Sequence, residues 1–201
     1  KYLDVEHTIA KYMFDPVENP WEVLPSISIF IEQLGPMLPS EEFEQRGSNV
    51  WISKSAVIAP TAYIGGPCII DAGTEVRHCA FIRGSAIIGK NCVIGNSTEV
   101  KNSIIFDEVQ IPHYNYVGDA VLGYKSHMGA GSICSNVKSD KKLVVVKDGE
   151  EKIETGLKKF GAMLGDHVEV GCGSVLNPGT VIGRNSNIYP VSYTHLTLPT
   201  T

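Results

Sequence analysis

The fold is decided by residues 50–100, which read VWISKSAVIAPTAYIGGPCIIDAGTEVRHCAFIRGSAIIGKNCVIGNSTEV. Within this stretch every sixth residue is aliphatic: Ile52, Ile58, Ile64, Ile70, Val76, Ile82, Ile88, Ile94 and Val100. A small or slim side chain follows four residues after each of the first eight: Ala56, Ala62, Cys68, Thr74, Ala80, Ala86, Cys92 and Thr98. Neither the helical period of 3.6 nor the strand period of two produces a strict repeat of six.

A six-residue unit with one large and one small inward side chain predicts one flat side of a triangular coil. Three such units close a coil of about 18 residues, and successive coils stack at the strand spacing of about 4.8 Å. The aliphatic side chains then form one continuous core, and the slim ones fit the tight corners. The sequence therefore predicts an all-β fold, a single-stranded parallel β-helix of hexapeptide repeats.

The repeat has one interruption. It continues past Val100 with one-residue deletions, breaks after Cys134 and resumes at Leu164. Residues 138–160 of the break hold a Lys- and Asp-rich stretch, a β-like run of valines and a turn candidate at Lys147–Glu150. We interpret this segment as a loop or hairpin excursion from one corner, and such insertions tend to lie on the functional face of repeat proteins.

The two ends of the chain differ from the repeat. Residues 1–47 lack the six-residue period, but Ser26–Leu34 and Ser40–Gln45 each begin at a capping Ser, and Gly35 and Gly47 follow as stop signals. They predict short helices that cover the N-terminal end of a β-helix spanning residues 48–190. Residues 191–201 abandon the pattern and resemble translated sequencing adapter, so we expect a non-native tail there.

Composition limits the class of function. The 201 residues carry 17 Lys and Arg against 22 Asp and Glu, a net charge of −5, and 43% of them are hydrophobic. An acidic balance without a basic run argues against nucleic acid or an anionic membrane as the partner. No apolar stretch approaches the roughly 18 residues of a spanning helix. Five scattered Cys form no disulfide framework, and we expect a cytoplasmic protein.

The richest departure from the repeat is residues 112–120, Pro-His-Tyr-Asn-Tyr-Val-Gly-Asp-Ala. A β-helix is a scaffold, so function must come from the residues that interrupt its pattern. His113 lies in this segment, and a histidine titrates near the pH at which a general base works. The alternative is a structural histidine with its hydrogen bonds satisfied.

Several segments carry a resemblance to a known family. They are residues 94–101, 112–120, 128–136, 158–162, 165–168 and 177–179. Together they resemble the C-terminal acetyltransferase domain of bifunctional sugar-1-phosphate nucleotidylyltransferase/glucosamine-1-phosphate N-acetyltransferases, and the last three are closest to the archaeal-type members. The resemblance covers roughly residues 50–190. It implies left-handed coils, acetyl-CoA as the co-substrate and a homotrimer.

The resemblance also implies roles for individual residues. His113 matches the general base that takes a proton from the sugar amine, and Asn136 matches a residue that orients this amine. Arg83 and Lys101 match cations that hold the sugar phosphate, which favours charge-assisted hydrogen bonds. Tyr116 matches a substrate-binding tyrosine. Each role has a structural alternative. The two cations could be solvated corner charges, the asparagine could cap a turn, and the tyrosine could cover the edge of a coil.

Further positions are matched less closely. His127 stands where bacterial members have an Asn near the sugar. Lys142 matches a lysine near the active site, and Lys159 competes with it because the excursion is long. Cys172 falls where those enzymes place a Ser at the acetyl-CoA pocket. We expect both lysines and Cys172 at the donor pocket, and no metal in the site, because positioning and hydrogen bonds suffice for acyl transfer.

The sequence therefore predicts an acetyl-CoA-dependent N-acetyltransferase in nucleotide-sugar biosynthesis. Its acceptor is an amino sugar 1-phosphate, glucosamine- or galactosamine-1-phosphate. One alternative is a non-catalytic trimeric module that partners a nucleotidylyltransferase related to UDP-N-acetylglucosamine pyrophosphorylase. Another is a zinc hydro-lyase of the gamma-carbonic-anhydrase type, because His78 and His113 are spaced to face one site. That family's third histidine has no counterpart here, since position 118 is Gly.

Overall fold

The computed structural model describes residues 2–190, so the predicted tail at 191–201 lies outside the described residues. The chain winds into a solenoid of short parallel strands with three faces, and the predicted parallel β-helix is thereby confirmed. Within residues 2–190, no helix has the length and apolar character needed to cross a membrane.

Each face is a ladder of parallel strands. The first face contains β2 (Val50–Ser53), β5 (Cys68–Ile70), β8 (Ala86–Ile88), the second halves of β10 (Glu99–Ile105) and β12 (Tyr116–Leu122), β17 (Ala162–Leu164) and β20 (Thr180–Ile182). The second face contains β3 (Val57–Ile58), β6 (Glu75–Val76), β9 (Val93–Asn96), β11 (Gln110–His113), β13 (His127–Met128), β18 (Glu169–Val170) and β21 (Asn187–Ile188). The third face contains β4 (Tyr63–Ile64), β7 (Phe81–Ile82), the first halves of β10 and β12, β14 (Ile133–Cys134) and β19 (Val175–Leu176).

The remaining elements lie outside these ladders. They are β1 (Phe43–Gln45), the pair β15 (Val145–Asp148) and β16 (Glu151–Glu154), the helix α1 (Ile27–Leu34), and short 3₁₀ helices at Val5–His7, Lys11–Met13, Pro20–Ser26 and Gly35–Met37.

Strand register reproduces the sequence repeat. Val50 pairs with Cys68, an offset of 18 residues, whereas Ala86 pairs with Ser103, an offset of 17. The one-residue deletions therefore shorten the later coils without displacing the inward residues. Val121 pairs with Met163, an offset of 42, because the chain leaves the solenoid within that coil and then returns to register.

The core follows from the inward side chains. Ile70, Ile82 and Ile94 are completely buried, and the slim residues between such positions are buried with them. Thr74 and Thr98 occupy slim positions, and each hydroxyl donates to a backbone carbonyl, that of Gly89 at 2.6 Å and that of Ile111 at 3.2 Å. These bonds satisfy polar atoms that would otherwise be costly to bury.

The first face is covered by the N-terminal arm, residues 2–37. The outward side chains of this face, such as Ile69, Ile87 and Ile104, are completely buried because α1 and the 3₁₀ helix Pro20–Ser26 pack on them. The face is thus apolar on both sides, as expected for a sheet covered by helices. The predicted position of the helical segment over the end of the solenoid is therefore wrong, since the arm lies along its side.

One of the two predicted helices is also wrong. Ile27–Leu34 forms α1, and Ser26 lies at its N-cap position without a side-chain capping bond. Ser40–Gln45 instead contributes the strand β1, Phe43–Gln45. β1 pairs antiparallel with β2, where Glu44 lies opposite Ile52. An open sheet edge presents unpaired backbone groups, whereas a one-turn helix is marginal by itself, so strand pairing is favoured here. The N-terminal edge of the first face is consequently covered by a strand.

The predicted excursion is a hairpin. Its strands β15 and β16 pair antiparallel, with Val146 opposite Ile153. At its base the backbone N–H of Phe160 donates to the carbonyl of Asn136 at 3.0 Å, which closes the loop. The excursion therefore leaves and rejoins the solenoid at neighbouring points, and the strands after it keep the register of the preceding coil.

A buried carboxylate fastens the arm to the solenoid. Asp166 is 1% exposed, and it accepts hydrogen bonds from the backbone N–H of Asp4 at 2.8 Å and of Tyr124 at 3.0 Å. The guanidinium of Arg184, one coil further on, donates to the same carboxylate through Nε at 2.9 Å. Asp166 thus joins the chain start to two coils near the C-terminal end of the solenoid.

Substituting Asp166→Ala tests this attachment. The change leaves two backbone N–H groups without an acceptor, and we expect the free energy of unfolding to fall by about 3 kcal/mol. Urea denaturation measures this loss, and amide exchange at residues 2–7 should become faster. Asp15→Ala, at an exposed carboxylate of the same arm, is the matched control. Equal stability of the two variants would contradict the attachment.

Candidate functional site

The third face is the exposed apolar face of the solenoid. Its outward side chains, in order along the axis, are Tyr63, Phe81, Glu99, Tyr116, Ile133 and Val175. The four hydrocarbon-rich members of this column, Tyr63, Phe81, Ile133 and Val175, are exposed. Most of the predicted site residues lie on this face or at the two corners that flank it, which we call the His113 corner and the Asp119 corner.

The His113 corner joins the second face to the third. His113 ends β11, lies opposite Asn96 of the preceding coil, and presents an exposed side chain. Its backbone N–H donates to Oδ1 of Asn115 at 3.0 Å. Asn115 is buried, and its Nδ2 donates to the carbonyl of Gly129 at 2.8 Å and to Oγ of Ser132 at 3.0 Å. The loop is therefore held from inside the solenoid, while the imidazole has no hydrogen-bond or ion-pair partner within residues 2–190.

The Asp119 corner joins the third face to the first and centres on a buried carboxylate. Asp119 is 4% exposed and accepts three side-chain hydrogen bonds: from Nζ of Lys101 at 3.1 Å, from Nδ2 of Asn102 at 2.9 Å and from Nδ2 of Asn136 at 2.5 Å. These donors come from the coils before and after its own, so Asp119 connects three coils. It thereby fixes two predicted site residues, Lys101 and Asn136, next to each other.

Tyr116 connects this corner to the centre of the third face. Its phenol oxygen accepts from Nδ2 of Asn136 at 3.1 Å. Burial raises the pKa of the Tyr116 phenol, and the nearby carboxylates of Asp119 and Glu99 raise it further. The phenol is therefore neutral at physiological pH, and its oxygen and the Asp119 carboxylate accept from the same Nδ2 atom of Asn136.

The two predicted phosphate-binding cations are both paired. Nη1 of Arg83 donates to Oε1 of Glu99 at 2.8 Å, and this contact raises the pKa of the guanidinium. Lys101 is paired with Asp119, so the four charges sum to zero. Each cation still has donors to spare, because a guanidinium carries five N–H groups and an ammonium three. A bound phosphate would share these cations with the carboxylates.

Three other predicted residues lie elsewhere. His127 projects from the second face, where its Nδ1 lies 2.8 Å from Oε2 of Glu169. Lys142 and Lys159 are both exposed on the excursion. Lys159 precedes Phe160, whose backbone N–H donates to the Asn136 carbonyl at 3.0 Å, so this part of the excursion lies beside Asn136. Lys142 precedes the hairpin on the opposite side of the excursion, where the backbone N–H of Val144 donates to the carbonyl of Leu157 at 2.8 Å.

Cys172 belongs to the His113 corner. It is exposed and lies two coils beyond His113, at the position equivalent to Ala130 in the coil between them. His78 occupies the equivalent position two coils before His113, with Asn96 between them, and its Nδ1 lies 2.9 Å from Oγ1 of Thr61. Among residues 2–190 no three His, Cys, Asp or Glu side chains come together as a metal-binding group. The zinc alternative thus gains no third ligand from this part of the chain.

Two concave regions lie away from the third face. A cavity of about 560 Å³ separates the N-terminal arm from the hairpin, with Leu3, Phe14, Trp21, Val146 and Val181 among its walls. A groove of about 590 Å³ on the second face is lined by Gln110, Lys125, His127 and Glu169. Neither contains His113 or Asn136. The chemistry-bearing residues are therefore on an open face, where a neighbouring molecule would be needed to enclose a ligand.

Sequence reasoning missed the carboxylates Asp119 and Glu99 and the buried amide of Asn115. Asp119 was visible as part of an unusual Gly-Asp pair, but its partners come from coils 17 or 18 residues away. Only the register, including the one-residue deletions, reveals these contacts. The inward Asn115 replaces the slim residue of the repeat, and that replacement was the available signal.

Substituting Asp119→Asn tests the role of this carboxylate. The new amide turns its own N–H₂ toward groups that are themselves donors, so we expect the free energy of unfolding to fall by about 1–3 kcal/mol. Thermal and urea denaturation measure the loss. Asp148→Asn, at an exposed position of the hairpin, is the control and should leave stability unchanged. A stable Asp119→Asn protein would show that the three donors do not depend on this carboxylate.

Comparisons with known proteins place this fold in a family. The family model described as the GMPPB C-terminal domain matches residues 64–183, more than half of the chain. A Methanococcus maripaludis (strain C5) protein named bifunctional protein GlmU is 36% identical over 178 residues, which are 87% of this chain and 43% of that protein. The chain thus spans less than half the length of this relative.

Two further likenesses have more similar lengths. YaiX of Escherichia coli K12, named as an uncharacterized acetyltransferase, is 30% identical over 193 residues, which cover 84% of this chain and 83% of that protein. A crystal structure of a hexapeptide transferase family protein from Anaplasma phagocytophilum covers 75% of this chain and 81% of its own, with a TM-score of 0.44 and 19% identity. The family match over residues 64–183 and the 30% identity to YaiX show that the chain belongs to the hexapeptide-repeat family of the GMPPB C-terminal domain.

Proposed function

We propose that this chain is an acetyl-CoA-dependent N-acetyltransferase whose acceptor is an amino sugar 1-phosphate. The observation that carries the proposal is the arrangement of the third face. An exposed imidazole on a rigid corner lies on one side, and a fixed cluster of amide, phenol and two cations lies on the other. The names of the relatives, bifunctional GlmU proteins and an uncharacterized acetyltransferase, support the same reaction class.

In this proposal His113 is the general base. Its imidazole takes a proton from the sugar amine as the nitrogen attacks the thioester carbonyl, and a tetrahedral intermediate forms. Collapse of the intermediate breaks the carbon–sulfur bond, and the imidazolium returns the proton to the departing thiolate. The loop is held by Asn115, so the base is already positioned before the substrate binds.

The Asp119 corner holds the acceptor in the proposed reaction. Asn136, fixed between Asp119 and Tyr116, has a side-chain oxygen to orient the amine. Arg83 and Lys101 supply their spare N–H donors to the phosphate, and Glu99 and Asp119 keep both cations in place while the site is empty. A dianionic phosphate favours such charge-assisted contacts. His127 lies on the second face, so it joins this site only from a neighbouring copy of the chain.

The acyl donor is proposed to lie beyond His113 toward the C-terminal coils. Cys172 lies in this direction, on the His113 corner two coils further on. Its side chain is small and exposed, which leaves room for the pantetheine chain of the donor. Lys159, beside Phe160 at the base of the excursion, is proposed to meet the phosphates of coenzyme A. The open geometry of the third face supports a homotrimer in which neighbouring solenoids enclose the site.

The activity is tested with acetyl-CoA and either glucosamine-1-phosphate or galactosamine-1-phosphate. We expect turnover that falls by about 10²- to 10⁴-fold in His113→Ala, the range typical of a lost general base. His78→Ala, at the equivalent corner two coils away, should keep its activity. Loss of activity in both variants together with zinc dependence would favour the hydro-lyase alternative. A folded protein without turnover would favour the non-catalytic module that partners a nucleotidylyltransferase.

The proposed trimer is tested by a charge on the third face. Val175→Glu places a carboxylate on the exposed apolar strip, where burial against a second copy would cost several kcal/mol, about the effective penalty of an unpaired buried charge. We expect light scattering to give the mass of three chains for the natural sequence and of one for this variant. Val57→Glu, equally exposed on the second face, should remain trimeric. A monomeric natural chain, or an unaffected Val175→Glu protein, would contradict this interface.

A further inference from the structure

One corner position of the solenoid is occupied by an unusual residue. Five successive coils place their residue at this position in the left-handed region: Cys79, Ser97, Tyr114, Gly131 and Gly173, with φ between 50° and 70°. This backbone conformation favours glycine, and it is uncommon for a bulky residue. Tyr114 is the one large side chain among the five, and it directly follows His113.

The backbone of Tyr114 is held in this conformation from both sides. Its N–H donates to the carbonyl of Asn96 at 2.9 Å, and the flanking Asn115 is anchored inside the solenoid. A tyrosine therefore occupies a place where the fold itself would accept glycine at lower cost. Glu108, Lys125 and His167 adopt the same conformation at another corner, so what distinguishes Tyr114 is that its strained backbone lies beside a candidate base, and this points to a function for the side chain.

The side chain of Tyr114 is open to solvent. Tyr114 is 66% exposed, and no aromatic ring or cation of residues 2–190 packs against it. In the next two coils the equivalent positions are Gly131 and Gly173, where an added Cβ would meet no atom within 4 Å. The Tyr114 ring thus borders an open surface at Gly131 and Gly173, and it lies one residue from His113 in the chain.

We infer that Tyr114 is a specificity-determining residue for the acceptor, whose sugar ring packs on the face of this tyrosine while its amine meets His113. The inference rests on the proposed function. An aromatic face suits the C–H groups of a pyranose ring, a contact that adds to simple burial. The acyl donor has no ring near its thioester, only an open pantetheine chain. The acceptor carries a six-membered ring bonded directly to the reacting amine.

Three variants distinguish the effect of the Tyr114 ring from the effect of its backbone conformation. Tyr114→Gly suits the left-handed conformation, so we expect an unchanged or higher melting temperature. We expect the KM for the sugar phosphate to rise about tenfold, within the range of a lost aromatic contact, and the KM for acetyl-CoA to stay the same. Tyr114→Phe keeps the ring and should retain the natural KM. Ser97→Gly makes the same backbone change one coil earlier and is the matched control.

The outcomes are distinct. An unchanged sugar KM in Tyr114→Gly, with active natural protein, would overturn this inference and leave the proposed function intact. A rise in the KM for acetyl-CoA alone would likewise overturn it, because the ring would then contact the donor. If the natural protein acetylates neither sugar phosphate and calorimetry detects no binding of either, the proposed function and this inference fail together.

Discussion

The structure depends on one constraint, the stacking of an aliphatic side chain in each coil directly on its counterpart in the next. Because each coil without the hairpin closes after 17 or 18 residues, each inward residue lies directly between its counterparts in the preceding and following coils. A deletion or an insertion is tolerated only where the chain returns to this register. The offset of 42 between Val121 and Met163 illustrates this, since an entire hairpin leaves the coil without moving the next core residue.

The same register assembles the candidate site. Residues far apart in sequence become neighbours along the solenoid axis, and short polar contacts then join adjacent coils. Asp119 shows the effect most clearly, because its three donors come from the coils on both sides of it. The site is therefore as rigid as the stack that carries it. Its open side is the third face, where only another molecule of protein or ligand would complete the enclosure.

Most of the fold was predictable because inward stacking leaves a direct trace, a strict period of six. The hairpin was predictable because it interrupts that period. The covered first face was missed, although its signal was present: Ile69, Ile87 and Ile104 each precede a core residue and make one face apolar on both sides. β1 was missed for a different reason, since the open edge of β2 and not local propensity decides that segment.

The site was predictable in part. The residues that interrupt the repeat indicated the His113 corner, and resemblance indicated Asn136 and the two cations. The pairing of these residues with Glu99 and Asp119 could not be predicted from the sequence, because it depends on the strand register and on the corner at which each side chain lies. The same reason explains His127, which lies on the second face with Glu169 and not beside His113.

A crystal structure of the chain with glucosamine-1-phosphate and coenzyme A tests the central claim most directly. We expect the sugar on the third face, with its nitrogen within hydrogen-bonding distance of the His113 imidazole and its phosphate at Arg83 and Lys101. Sugar phosphate bound instead in the second-face groove beside His127, or in the cavity between the arm and the hairpin, would contradict the account.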